Sequence, residues 1–277
     1  MKNTDELKNK IIKWLNEQGY PLEMRISASL QQKGFRVVQS EYFIDPESGD
    51  YREIDVVALV QKEIDDVLFR VTLLIECKLS TDKPWLLFTS KETRLANPAC
   101  VAQRAANSLG TRYLYEICNN DHVQKLSIFS LPERPAYGVT QALTQGKDVC
   151  YSAATSVSKA TFSTVAELDE KRRQQDENIC SIILPVVVIE GQLFEVFLEN
   201  RSDVVVNNID NGTLLWRNPV LGMPHTILNI VTATAFDRFA DEVLASTCRL
   251  FELSEKELLE SLRKVLEEEN KPSCMTF

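Results

Sequence analysis

Arg52-Glu53-Ile54-Asp55-Val56-Val57-Ala58, followed along the chain by Leu73-Leu74-Ile75-Glu76-Cys77-Lys78, is the pair of segments on which the fold turns. Both read as strands, the first over Glu53 to Gln61 and the second over Val67 to Leu79, with the polar Lys62 to Asp66 connection between them. In a strand, side chains two apart share a face. Glu76 and Lys78 therefore project together while Ile75 and Cys77 enter the opposite side. An acid and an amine side by side at the end of an apolar strand are costly to bury unless they are paired or hold an ion.

Working outward, Phe35 to Phe43 alternates like a third strand, and Asp45-Pro46-Glu47-Ser48-Gly49-Asp50 has the composition of a turn. Upstream, Asp5 to Asn16 carries Leu7, Ile11, Ile12 and Leu15 at helical spacing and ends at Gly19. A second helix begins at Pro21, buries a stripe of Leu22, Ile26 and Leu30, and stops at Gly34. Downstream, the expectations are a helix over Thr93 to Cys118 interrupted at Asn97-Pro98 and Gly110, and a strand over Leu126 to Leu131. A long helix over Ser152 to Glu177 follows, then a hairpin of Ile182 to Ile189 and Leu193 to Leu198 turning at Glu190-Gly191. A turn at Asn207 to Gly212, a strand over Ile227 to Thr232 and a helix over Phe236 to Arg249 come next. Ser254 with Glu257 forms a capping box for a last helix striped by Leu258, Leu259, Leu262, Val265 and Leu266. The pattern implies an α/β protein: a helix, a three-strand meander and a mixed central sheet flanked by helices. No repeat or linker divides it, so a single domain over 1–277 is expected, with its core at 21–131 and a C-terminal elaboration of hairpin and helices at 152–277.

The 277 residues are 44% hydrophobic and 26% charged, which is ordinary globular composition and enough for a sizeable core. The seven cysteines are odd in number and widely spaced, so reduced thiols are expected rather than a disulfide frame or a zinc site. The amino terminus lacks a signal peptide's apolar core, and the longest apolar run, Ile182 to Ile189, is too short to span a bilayer. A cytoplasmic protein without membrane contact is the expectation. With 31 basic against 40 acidic residues the formal charge is −9, so contact with a polyanion has to be local rather than driven by a global field.

A hard divalent cation such as magnesium takes one or two carboxylates together with water and substrate phosphate. Asp55 and Glu76, on adjacent antiparallel strands, supply the carboxylates, and the Cys77 backbone carbonyl a further oxygen. Lys78 then either helps deprotonate the attacking water or stabilises negative charge growing on a phosphate. The alternative for all three is a structural ion-pair cluster. Trp85, with Lys83 and Lys91, forms a candidate set of substrate contacts, the ring stacking on a base and the amines meeting phosphate. A packed loop tryptophan beside surface lysines would look the same. Glu53 shares a strand face with Asp55 as a secondary ligand, unless Arg52 or Lys62 pairs with it. His122 and His225 stand alone, as neither ligand nor base.

The order of helix acid, hairpin acid and Glu-x-Lys resembles the PD-(D/E)xK, or restriction-endonuclease-like, nuclease superfamily. The resemblance spans roughly Pro21 to Thr89. Asp55, Glu76 and Lys78 match its three central positions, and Ile54 stands where proline often precedes the aspartate. It implies that Glu23, on the helix before the meander, assists the metal site, and that Gln103 takes the place of a helpful glutamine. Leu79 to Trp85 and Pro185 to Phe197 resemble segments of poorly characterised bacterial members. The kinship implies a Mg2+- or Mn2+-dependent endonuclease acting on nucleic acid, with DNA the expected substrate. It also implies a role in restriction or phage defence, with a homodimer or a partner protein of such a system. The rivals are a non-cleaving nucleic-acid-binding module of the same fold and a scaffold protein assembling through its terminal helices.

Overall fold

The computed structural model describes residues 2–91, 105–144, 148–175, 178–200, 202–216 and 226–269. Two helices open the chain, α1 (Lys2–Gln18) and α2 (Tyr20–Gln32). Pro21 sits in the first turn of α2, where a missing N–H leaves no bond unmade, and Leu22, Ile26 and Leu30 are buried beneath it. α1 has the same helical spacing but its apolar side chains meet no core: Leu7, Ile11 and Ile12 are all exposed.

The meander forms as expected, from β1 (Arg36–Ile44), β2 (Tyr51–Ile64) and β3 (Val67–Thr89), each antiparallel to the next. Asp65 and Asp66 make the tight turn between β2 and β3, both at positive φ (49° and 63°), which matches the right-handed twist of the strands they join. β3 does not stop at Leu79. It runs on to Thr89, absorbing an irregularity between Ser80 and Trp85.

Next come β4 (Ala105–Ala106), α3 (Ser108–Ile117), the single turn α4 (Asp121–Gln124), β5 (Ala136–Gln141) and the long α5 (Val149–Gln175). The second half holds β6 (Ile179–Glu199), β7 (Asp203–Ile209), β8 (Asn211–Trp216), β9 (Thr226–Thr232), α6 (Phe236–Lys256) and α7 (Leu259–Glu269). The sheet is mixed and nine-stranded, ordered β1-β2-β3-β5-β8-β9-β6-β4 with β7 on β6; β3 also pairs with β6 in parallel. That additional pairing closes β3, β5, β8, β9 and β6 into a ring. Even-numbered β6 residues and odd-numbered β3 residues from Val71 to Cys77 face one core cluster with α2, α3, α6 and α7. The other face, with Leu74, Ile183 and Val187, packs on α5 through Ala153, Ala154, Val157 and Ala160. Helices thus cover both sides of the sheet.

Several local expectations give way to packing. The hairpin expected at Glu190-Gly191 is one continuous strand, β6. Gly191 serves close approach rather than a turn: a Cβ there would lie 2.3 Å from the Ser80 carbonyl oxygen of β3. Pro185 falls between the stretch of β6 paired with β4 and the stretch paired with β9, where its missing N–H can be fitted without breaking a ladder. Leu126 to Leu131 is not a strand but contains a 3-10 turn, Ser127–Phe129. Gly110 lies inside α3 rather than interrupting it, since a side chain there would strike the Ser181 carbonyl at 2.7 Å. The Ser254/Glu257 capping box does not form, because α6 continues through Ser254, whose hydroxyl bonds the Leu250 carbonyl and accepts from Tyr113. The stripe of the last helix is core, with Leu258, Leu262 and Val265 buried. The five cysteines among the described residues are free, and no helix among them is long and apolar enough to cross a membrane.

Candidate functional site

β2 and β3 pair from Ile64↔Val67 to Val56↔Ile75, and there their ladder ends. β2 continues alongside β1, leaving β3 to run on beside β6. Asp55 and Glu76 are the first residues beyond the parting, so both carboxyls stand where the two strands splay. Asp55 bridges the gap itself: its Oδ2 accepts the Cys77 backbone N–H at 2.6 Å. In an extended strand a residue's N–H and C=O point to the same side, so the Cys77 carbonyl faces that gap too. The other Asp55 oxygen takes no hydrogen bond among the described residues. Opposite Asp55 on β1, Ser40 is held at φ 54°, a conformation costly for a side-chain-bearing residue and enriched at functional sites.

Glu76 is 7% exposed. Its Oε1 accepts from Lys78 Nζ at 2.5 Å and its Oε2 from Ser156 Oγ of α5 at 3.1 Å. The face shared by Glu76 and Lys78 is therefore the α5 face, while Cys77 enters the opposite core. Burial, with the Asp55 charge adding to it, holds the Glu76 carboxyl above the usual range despite Lys78. Burial raises Asp55 as well, against the Cys77 hydrogen bond and Lys78, with Glu53 adding to the rise. Glu23 is pushed up to about 7, first by burial and then by Asp55, Glu53 and Glu76. Burial pulls Lys78 down, but Glu76 and Asp55 outweigh it and the ammonium keeps its proton more firmly than usual. The Cys77 thiol is driven far up by burial and stays protonated. The four expected residues Glu23, Asp55, Glu76 and Lys78 thus share one electrostatic neighbourhood, crowded with acid.

Glu53 is exposed and pairs with neither expected cation: Arg52 bonds Asp45, and Lys62 bonds Glu255. The substrate contacts expected of Trp85 are not available in this structure. The ring is fully buried in the α5-side core and its Nε1–H donates to Ser80 Oγ at 3.1 Å. Lys83 reaches Thr144 Oγ1 at 3.4 Å, and Lys91 is ion-paired with Glu133 at 2.7 Å. Lys91 and Arg134 line an open cleft of about 730 Å³ with Phe88, Tyr137 and Phe197, roughly 20–25 Å from Lys78 as measured along the paired strand β6. Gln103 and His225 lie outside the described residues.

Two contributors were not read from the sequence. Ser156 looks like filler in an Ala/Ser/Thr-rich helix, although small residues are what let α5 lie close enough to the sheet to reach Glu76. Lys159, one turn on, is buried and bonds both oxygens of the fully buried Asp45 at 3.0 Å, and Glu47 at 2.7 Å. A lone lysine on the apolar face formed by Ala153, Val157 and Ala160 was the available signal, because a buried ammonium requires a partner.

A divalent ion fits the donor chemistry: two carboxylates, a backbone carbonyl facing the same gap, and acids whose raised proton affinity a cation would relieve. Among the described residues no group of three or more His, Cys, Asp or Glu side chains is gathered for a metal. Magnesium sites built from two carboxylates and water do not need such a group. No protein-family model matches the chain, and no curated protein and no solved structure matches it either.

Proposed function

We propose that the chain is a divalent-metal-dependent nuclease with a restriction-endonuclease-like core, hydrolysing phosphodiester bonds in nucleic acid, with DNA the first substrate to test. The observation that carries the reading is the parting of β2 and β3, which leaves the Asp55 and Glu76 carboxylates and the Lys78 amine around one gap. The mixed sheet with helices on both faces supports it in outline.

Asp55, Glu76 and the Cys77 carbonyl would hold Mg2+ or Mn2+, which when bound supplies a polarised water and withdraws charge from the phosphate. The remaining steps belong to the chain's own groups. Lys78 retains its proton at neutral pH, so of its two candidate roles the structure favours the ammonium that faces negative charge developing on phosphate oxygen. Glu23 would assist from beside Asp55, Glu53 and Glu76: in the metal-free chain its burial and their charges push its carboxyl up to about 7, a conflict that a bound cation would relieve. Ser156 orients the Glu76 carboxylate by donating to Oε2.

The test is incubation of pure protein with supercoiled, linear and single-stranded DNA and with RNA, with and without Mn2+, beside Asp55→Ala and Lys78→Ala. Metal-dependent cleavage by the native chain, lost in both variants while their circular dichroism is unchanged, is the expected result. Retained cleavage in both purified variants defeats the assignment. A second reading, a non-cleaving nucleic-acid-binding module, is favoured by the Glu76–Lys78 ion pair and by the lack of a three-residue metal group among the described residues. Binding without cleavage across several divalent ions selects it.

A further inference from the structure

Between Asp55 and Glu76 the β2–β3 ladder has already ended, so strand pairing no longer fixes how far apart the two carboxyls stand. What remains is the single Asp55–Cys77 hydrogen bond and the packing of helices, α2 on one face and α5 on the other. Ser156 and Lys159 are three residues apart on that helix and share a face. Ser156 grips Glu76 on β3 directly. Lys159 grips Asp45, which sits in the turn joining β1 to β2, the ribbon that bears Asp55. One turn of one helix therefore touches both halves of the site.

The hold on the ribbon is thoroughly built. Asp45 is 0% exposed, and besides Lys159 it accepts from Arg52 Nε at 2.5 Å and from the backbone N–H groups of Glu47 and Ser48. Phe43 and Ile54, flanking the turn, pack into the same core as α5. A buried ion pair of this kind is a poor way to gain stability, since apolar residues of similar volume serve as well or better. What an ion pair with fixed hydrogen bonds does supply is geometry.

We propose that α5 sets the separation of the two metal-facing carboxyls, with Ser156 and Lys159 as positioning residues: Ser156 acts through Glu76, and Lys159 through Asp45 and the ribbon that carries Asp55. The proposal rests on the metal-site reading above. It assigns a function to a buried lysine whose partner, Asp45, stands ten residues of turn and β2 before Asp55.

The test is calorimetric titration of the full chain with Mn2+, run on the native protein, Ser156→Ala, Lys159→Met, Lys159→Arg and Tyr113→Phe. The last removes a buried hydrogen bond to Ser254 on the other side of the sheet and controls for lost stability alone. Outer groups that orient metal ligands typically govern about 10- to 100-fold in affinity. Ser156→Ala and Lys159→Met should each weaken Mn2+ binding at least ~10-fold, Lys159→Arg should recover most of that loss, and Tyr113→Phe should bind like the native chain. Ser156→Ala at native affinity overturns the proposal even if Lys159→Met does not fold. A native chain that binds no Mn2+ overturns the metal-site reading and this inference with it, whereas native binding with indifferent variants overturns the inference alone.

Discussion

Glu23→Gln should make the metal-free protein more stable at pH 8 and leave it unchanged at pH 4. Glu23 takes no hydrogen bond among the described residues, so the amide forfeits no contact while the charge is removed. In the folded chain its carboxyl is pushed from 4.5 up to about 7, by burial first and then by Asp55, Glu53 and Glu76. Between those two values the folded state binds more protons than the unfolded state, so stability falls as pH rises through the interval and the full penalty is present above 7. A shift of that size corresponds to roughly 3 kcal/mol. Because Glu23 is still partly solvated, screening reduces the share expressed in stability to about 1–2 kcal/mol. For a domain of this size the gain is a rise in melting temperature of roughly 2–6 °C. Thermal unfolding followed by circular dichroism in chelator, at pH 4, 6 and 8, reads it directly. A variant that melts lower than the native chain at pH 8, or a gain equally large at pH 4, would show that the acids do not crowd one another, and the electrostatic case for a cation site would fall with that result.

Trp85→Ala should cost about 3–5 kcal/mol, the usual price of truncating a large buried ring, since Trp85 is fully enclosed. Affinity of the surviving folded fraction for single-stranded DNA should not change; a selective loss of binding, measured by fluorescence anisotropy at a temperature where the variant is folded, would restore the stacking role. Gly191→Ala should destabilise by about 1–3 kcal/mol, because its Cβ would meet the Ser80 carbonyl at 2.3 Å and backbone has to move. Urea unfolding checks it, and an unaltered midpoint would mean that β3 and β6 separate there at little cost.

How much of this was readable beforehand differs by the range of the interaction. The meander, α2 and the shared face of Glu76 and Lys78 follow from periods of 2 and 3.6, which are local. The connection read at Lys62 to Asp66 is shorter in the structure, because β2 stays paired with β3 as far as Ile64 and only Asp65 and Asp66 turn. Glu190-Gly191 misled because turn composition and close backbone approach both call for glycine, and only the partner strand distinguishes them. Ser254-Glu257 misled because a capping signal competes with packing, and Leu250, Leu253 and Leu258 are all buried, which carries the helix past the signal. Trp85 follows a polar stretch containing Lys83 that reads as loop, yet β3 resumes its pairing with β6 at Trp85 and the ring enters the core. Ser156 and the Lys159–Asp45 pair depend on a helix more than a hundred positions from the turn it touches, a distance over which a single sequence carries no pattern.

The long parallel seam between β3 and β6 has a kinetic corollary. Leu68 pairs with Ile179 and Lys78 with Ile189, so the loop to be closed is more than a hundred residues long. Such contacts are entropically expensive and form late. During synthesis the residues matching the motif leave the ribosome early, but Glu76 has neither its neighbouring strand nor α5 until some 190 residues have been made. A nascent chain therefore carries the acids and the amine without the setting that shifts their proton affinities, and whatever chemistry they perform is withheld until β6 has been made.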